Sequence, residues 1–212
     1  MLRRMDQRTI DFYDRHAAET AVRHRSLDTT PWRARFLDAF PRGSRILDAG
    51  CGGGRDLALL LELGFDARGT EPSAGMRAEA ERSYPALAGR IQPFALPWPD
   101  QAALGGPFDG VVCSAVLMHV PGEELRTAMA CLRRALRPAG RLWLTVPGPR
   151  PGLDAASRDG GGRLFREVAL EPLITLGRGA GLHEVARWED EDRLGRAEIR
   201  WHGCLLEAPE TP

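Results

Sequence analysis

Residues 46–60 read ILDAGCGGGRDLALL. A short apolar run ends in an acid, Gly50, Gly52, Gly53 and Gly54 crowd the turn, and a leucine-rich helical pattern begins at once. Such a strand–turn–helix restricts the fold sharply. Glycines let the backbone take positive φ and let a ligand approach without meeting a Cβ. The following helix points its N-terminal amides and positive dipole end at the turn. In an α/β sheet that turn lies at the carboxyl ends of the strands, where ligands bind.

The rest of the chain extends this unit. Residues 6–27 predict a polar helix carrying Phe12 and Tyr13, and Pro31 opens a second helix ended by Pro41 and Gly43. Strand patterns at 44–50, 65–71, 90–96, 108–117 and 141–147 alternate with helical ones at 55–63, 73–84 and 121–136. That alternation predicts a parallel sheet with helices on both faces. Beyond a turn-rich stretch at 147–163 and a helix near 165–180, strands at 183–190 and 197–208 flank DRLGR, which reads as a hairpin turn. A closing pair so linked must be antiparallel. Trp143 falls in a core strand, and Trp188 and Trp201 are expected to face each other across the hairpin. A length of 212 residues fits one domain: N-terminal helices over the site (1–43), a binding core (44–147), and a substrate loop with the hairpin (148–212).

Composition removes several functions. Cations and anions balance at 29 each, leaving no basic footprint for bulk nucleic-acid binding. Every cation is an arginine, so a lysine Schiff base and a Walker A loop are both excluded. Cys51, Cys113, Cys131 and Cys204 form no CxxC pair, and His16, His24, His183 and His202 show no ligand spacing, so no metal is expected. MLRRMDQRTIDFYDRH lacks the apolar core of a secretory signal. No apolar run reaches the roughly 18 residues of a membrane span, and a cytoplasmic protein without membrane contact is the expectation.

The glycine spacing selects the ligand. Asp48, Gly50, Gly52 and Gly54 form D-x-G-x-G-x-G, whereas a dinucleotide fingerprint is G-x-G-x-x-G. Counted from Gly50 the last position is Arg55, and counted from Gly52 it is Leu57, so both frames fail. Glu71, at the end of the second strand pattern, sits where a carboxylate accepts hydrogen bonds from both hydroxyls of a ribose. An adenosine-type ligand without a diphosphate cradle follows.

With ILDAGCGGG, FDARGTEPS, FDGVVCSAVLMHVP and LRRALRPAGRLWLTVP in this order, the chain resembles the class I S-adenosylmethionine-dependent methyltransferases across residues 44–147. The resemblance implies a Rossmann-like seven-stranded sheet in the order 3-2-1-4-5-7-6, with strand 7 antiparallel. It implies S-adenosylmethionine as cofactor and S-adenosylhomocysteine as product. It places Asp48, Gly50, Cys51 and Gly52 at the methionine moiety and Glu71 at the ribose. Pro72 and Met76 would lie near the adenine, Ala95 and Leu96 on its other side, and Ser114 and Ala115 at the methionine end. Many relatives carry Asp before the ALP-like segment, where this chain has Phe94. VLMHVPGEEL is similar to the corresponding stretch of small-molecule methyltransferases and lacks the Pro-Pro-aromatic motif of DNA amino-methyltransferases.

Methyl transfer from a sulfonium needs proximity and orientation, and a base only when the acceptor loses a proton. His119, after the fourth strand, is the candidate base; the alternative is a histidine that orients the loop before Pro121. Tyr13 either touches the cofactor from the N-terminal helix or packs there. Arg158 and Arg163, after the fifth strand, either grip an acceptor carboxylate or phosphate or lie in solvent. The expected partner is a small-molecule methyl acceptor. The alternatives are a protein or nucleic-acid methyltransferase, and a non-catalytic S-adenosylmethionine-binding module.

Overall fold

The computed structural model describes residues 5–98, 100–196 and 198–211. Seven α-helices and seven strands are found among the described residues. The N-terminal region is helical: α1 (Gln7–Arg15), α2 (Ala17–Arg25) and α3 (Thr30–Ala39). Then come β1 (Arg45–Ala49), α4 (Arg55–Glu62), β2 (Asp66–Thr70), α5 (Ala74–Ser83), β3 (Ile91–Gln92), β4 (Phe108–Ser114), α6 (Leu125–Ala135) and β5 (Leu136–Pro147). The chain closes with α7 (Leu170–Gly179), β6 (His183–Glu191) and β7 (Arg200–Glu207).

The seven strands form one sheet in the order β3-β2-β1-β4-β5-β7-β6. Neighbours from β3 to β5 run parallel, while β7 is antiparallel to both β5 and β6. Successive side chains of a strand take opposite faces, and both faces here are apolar. Leu47, Val111, Cys113, Leu142 and Leu144 bury against α6 and α7, whereas Ile46, Val112 and Trp143 bury against α3 and α4. This double burial is why the parallel strands read as continuous apolar runs rather than alternating ones.

Four local expectations are corrected. The polar helix at 6–27 is two helices that break at His16, whose amide bonds back to the Phe12 carbonyl. β5 starts at Leu136 rather than at 141, so RPAG belongs to the strand. The helix expected near 165–180 begins only at Leu170, which frees Phe165 to enter the site. Trp188 does not face Trp201 but pairs with Gly203, laying its ring 4.3 Å from that of Trp143, while Trp201 pairs with Asp190.

The N-terminal helix is tied at both ends. Asp6 caps α1 through the Thr9 amide and also takes both terminal nitrogens of Arg158, at 2.9 and 2.7 Å. Asp14, near the other end, accepts from the Ser73 hydroxyl (2.6 Å) and the Gly75 amide (2.9 Å) of α5. These contacts hold α1 between the start of α5 and the loop after β5. Among the described residues no helix is long and apolar enough to cross a membrane.

Candidate active site

A cavity of about 420 Å³ opens at the carboxyl ends of β1, β2, β4 and β5. The glycine turn forms its floor. Gly50 and Cys51 donate their amides to the Thr70 carbonyl, Gly54 donates to the Cys51 carbonyl, and Gly52 donates to Oε2 of Glu71 at 3.0 Å. With those amides already satisfied, the turn offers no nest for a diphosphate, in agreement with the failed dinucleotide spacing.

Two glycines of the turn have different reasons to be glycine. Both have positive φ, Gly50 at 75° and Gly52 at 54°. A Cβ at Gly50 would strike Val116 at 2.6 Å, so this position serves packing. A Cβ at Gly52 would meet only Met76 Cε, at 3.6 Å, and would otherwise project into open cavity. Glycine at 52 leaves this part of the cavity open.

Two buried carboxyl groups flank the turn. Glu71 receives the Gly52 amide on one oxygen and the Ser73 amide on the other, at 2.8 Å, which leaves a lone pair on each for further donors. Burial raises its pKa to about 7, against the lowering effect of those two amides and Arg77. Asp48, at the end of β1, is 2% exposed, and its Oδ2 has no hydrogen-bond partner among the described residues. Burial, with Asp56 adding to it, pushes its pKa well up. An orphaned buried carboxyl oxygen is costly unless a ligand donor reaches it. A cleared glycine, a paired-acceptor carboxylate and an orphaned acid together fit a ligand with a ribose diol at one point and an ammonium at another. S-adenosylmethionine has both.

The opposite wall comes from β4, β5 and the loops beyond them. Ser114 shares a 2.7 Å hydrogen bond with Thr145, and Ala115 turns the chain in the left-handed region at φ 59°. Strain of that kind in a non-glycine residue gathers at functional sites. His119 is 3% exposed, with Nδ1 2.5 Å from the Leu164 carbonyl oxygen and Nε2 3.1 Å from the Tyr13 hydroxyl. A carbonyl can only accept, so Nδ1 carries the proton and Nε2 accepts from Tyr13. Burial brings the histidine pKa down to about 4, and the imidazole is neutral at neutral pH. Arg163 completes the cluster. It donates to Tyr13 at 3.3 Å and to Asp159 at 2.6 Å, and its guanidinium lies over Phe12, Tyr13 and Phe165.

Most of the sequence-derived positions converge here. Tyr13, Asp48, Gly50, Cys51, Gly52, Glu71, Pro72, Met76, Ser114, Ala115, His119 and Arg163 all line the one cavity. Four positions do not. Leu96 is buried in the core cluster to which α6 and α7 also contribute, and Ala95 packs on the same cluster; β3 ends at Gln92, before this segment. Phe94 packs there too. Arg158 faces Asp6 instead of the cavity, because the loop that carries it folds back on α1.

The sequence reading missed Arg150, Phe165, Asp192, Arg196 and Trp201, which line the cavity as well. Asp192 was legible: it opens DRLGR, and its side chain accepts the Leu194 and Arg196 amides as an Asx-type turn does. It also takes the Arg196 guanidinium and the Trp201 indole N–H, so the hairpin turn is a wall of the site. Among the described residues no group of three His, Cys, Asp or Glu side chains is placed to hold a metal.

A family model described as a methyltransferase domain matches residues 15–189. Solved structures share the fold. A Burkholderia thailandensis 1,6-didemethyltoxoflavin N1-methyltransferase, bound to its substrate and S-adenosylhomocysteine, is similar at a TM-score of 0.73 and 20% identity, covering 96% of this chain and 88% of its own. A Synechocystis magnesium protoporphyrin IX methyltransferase with bound S-adenosylhomocysteine is similar at 0.68 and 20%, covering 95% and 93%. No curated protein matches the sequence. The sheet order and the glycine turn define the fold as that of the class I methyltransferases. The chain belongs to the methyltransferase domain family and is an S-adenosylmethionine-dependent methyltransferase.

Proposed function

We propose that this methyltransferase acts on a small molecule, as one domain in which the N-terminal helices and the loop after β5 enclose the acceptor over the cofactor core. The observation that carries the reading is the continuity of a single cavity. It runs from Asp48, Gly52 and Glu71 to Tyr13, His119 and Arg163. A donor site and an acceptor pocket sharing one concave space suit a compact acceptor better than a protein chain or a nucleic acid. The balanced charge of the sequence argues the same way. A cytoplasmic location is part of the proposal.

S-adenosylmethionine, when bound, supplies a methyl group already activated on its sulfonium. Glu71 accepts the ribose hydroxyls, Asp48 accepts from the ammonium of the methionine moiety, and Pro72 and Met76 border the adenine. Gly52, Cys51, Ser114 and Ala115 give the methionine chain its channel. Tyr13 is the polar group that α1 brings between donor and acceptor. Nε2 of His119 is already engaged, so a base role runs through the Tyr13 hydroxyl: the acceptor's proton passes to the phenol oxygen as the phenol proton moves to Nε2.

Transfer of labelled methyl from S-adenosylmethionine into a metabolite extract tests the reading. Label in a low-mass fraction is expected. Label confined to protein or nucleic acid would replace the acceptor class, and cofactor binding without label in any fraction would make the chain a binding module.

A further inference from the structure

We propose that Arg150 is an anion anchor for the methyl acceptor, and that the acceptor carries a carboxylate or phosphate group which this guanidinium binds. The inference rests on the small-molecule reading above and adds the chemistry of the ligand.

Arg150 follows β5 and lines the cavity with Tyr13, His119, Arg163 and Phe165. Its side chain is only 22% exposed. One face of the guanidinium lies 4.1 Å from the centroid of the Phe165 ring. Stacking occupies the face of the group and leaves its in-plane N–H donors free. None of those donors makes a hydrogen bond among the described residues. The nearest carboxylate is Asp159 at 3.6 Å, and Asp159 is already taken by Arg163 at 2.6 Å.

A charge count around this end of the cavity gives the same result. Arg150, Arg163 and Arg196 supply three positive charges. Asp159 and Asp192 supply two negative ones, and Asp192 is held by Arg196 and Trp201. Asp190 does not compensate, because Arg35 takes both of its oxygens, at 2.6 and 2.9 Å. His119 and Tyr13 are neutral at neutral pH. Arg193 and Glu191, which also line the cavity, face Asp28 at 3.9 Å and Arg200 at 3.2 Å. One positive charge is left over beside Phe165, on Arg150, whose guanidinium makes no hydrogen bond among the described residues. Burial and the neighbouring guanidinium of Arg163 press the Arg150 pKa below the ordinary arginine value, with Asp159 opposing. A partly desolvated cation without hydrogen bonds is unfavourable until an anion reaches it. A planar fork binds carboxylate and phosphate through two parallel N–H···O bonds. The Phe165 stack holds that fork in place beforehand, which lowers the ordering cost of binding.

The test uses the whole chain saturated with S-adenosylhomocysteine and titrated by calorimetry with benzoate, phenyl phosphate and neutral benzamide. At least one anion is expected to bind about tenfold more tightly than benzamide, and the better anion tells carboxylate from phosphate. Arg150→Gln removes that preference while leaving S-adenosylhomocysteine affinity unchanged, which also shows that the variant is folded. Arg150→Lys keeps the charge, loses the fork and retains part of the preference. Equal binding of benzamide and both anions, or a full preference in Arg150→Gln, overturns the proposal. Failure of the wild-type chain to bind S-adenosylhomocysteine would instead overturn the cofactor assignment itself.

Discussion

The Tyr13 hydroxyl stands 3.1 Å from Nε2 of His119, whose Nδ1 is held by the Leu164 carbonyl oxygen at 2.5 Å. One hydrogen-bonded line therefore joins α1, the turn after β4 and the loop after β5. It fixes the histidine tautomer, while burial keeps the ring uncharged against the Leu164 bond, which favours the charged form. Nuclear magnetic resonance of the histidine ring nitrogens should show His119 as the Nδ1–H tautomer, titrating only near its lowered pKa of about 4. A midpoint close to 6.5 would break the assignment. The folded pKa lies below the unfolded value of 6.5, so the neutral ring stabilises the fold above pH 6.5 and that contribution is lost as pH falls toward 4. His119→Gln should flatten this part of the stability profile. His24 is also lowered to about 4, so only the difference between the two profiles reports His119. Tyr13→Phe should slow methyl transfer by about tenfold, equivalent to ~1.4 kcal/mol, with little change in cofactor affinity.

Glu71 makes ligand binding sensitive to pH. Burial raises its pKa to about 7 in the free protein, and hydroxyl donors favour the ionised form. Adenosine has no group of its own titrating near neutrality, so its affinity isolates this carboxyl. Binding should strengthen as pH rises through about 7 and should release a proton, measurable by calorimetry in buffers of different ionisation enthalpy. Glu71→Gln should weaken adenosine binding by about 1.5–3 kcal/mol and abolish the pH dependence. An unchanged pH profile in the variant would remove Glu71 from the ribose site. For the free fold the sign is opposite: stability falls as pH rises from 4.5 through 7, because the folded state holds the proton more tightly.

Gly50 and Gly52 should fail in different ways. Gly50→Ala drives a methyl group into Val116 at a positive φ, so it should lower the melting temperature markedly. Gly52→Val carries the φ strain, about 1–2 kcal/mol, but its side chain enters the cavity. That variant should remain folded by circular dichroism and lose S-adenosylhomocysteine binding. Normal binding by Gly52→Val would show that the cofactor does not pass over the turn.

Arg158 should matter through α1 rather than through the acceptor. Its pair with Asp6 fastens the loop after β5 to the helix that bears Tyr13. Arg158→Gln should destabilise that attachment by about 1 kcal/mol. The change should appear as faster hydrogen exchange across residues 7–15, with anion binding in the cofactor-saturated protein unchanged. Loss of anion binding with normal exchange would return Arg158 to the acceptor site.

What was legible lay in local pattern. The apolar runs around Leu47, Val111 and Leu142 predict parallel strands because both faces of the sheet are covered, and a side chain buried on either face must be apolar. The turn at Gly50–Gly54 and the acid at Glu71 were readable because backbone conformation and spacing are properties of adjacent residues. The core packing of Ala95 and Leu96 was not legible, because a strand of two residues carries no periodicity and a resemblance between segments does not fix depth in the core.

The acceptor end was illegible for the opposite reason. In a chain where all 29 cations are arginine, composition does not separate a working guanidinium from a solvated one. Arg158 and Arg163 look alike in sequence, yet one clamps α1 and the other faces the cavity. Arg150 drew no notice at all. The sequence by itself determined the alternating sheet, its antiparallel closing pair and the glycine turn, since these follow from periodicity and turn chemistry between near neighbours. Only the tertiary structure decided that Tyr13 meets His119 from 106 positions away, and that Arg150 has no hydrogen-bonding partner among the described residues, with Asp159 at 3.6 Å. Those outcomes depend on which side chains the folded loops bring together, and on the charge that remains once every nearer pair has formed.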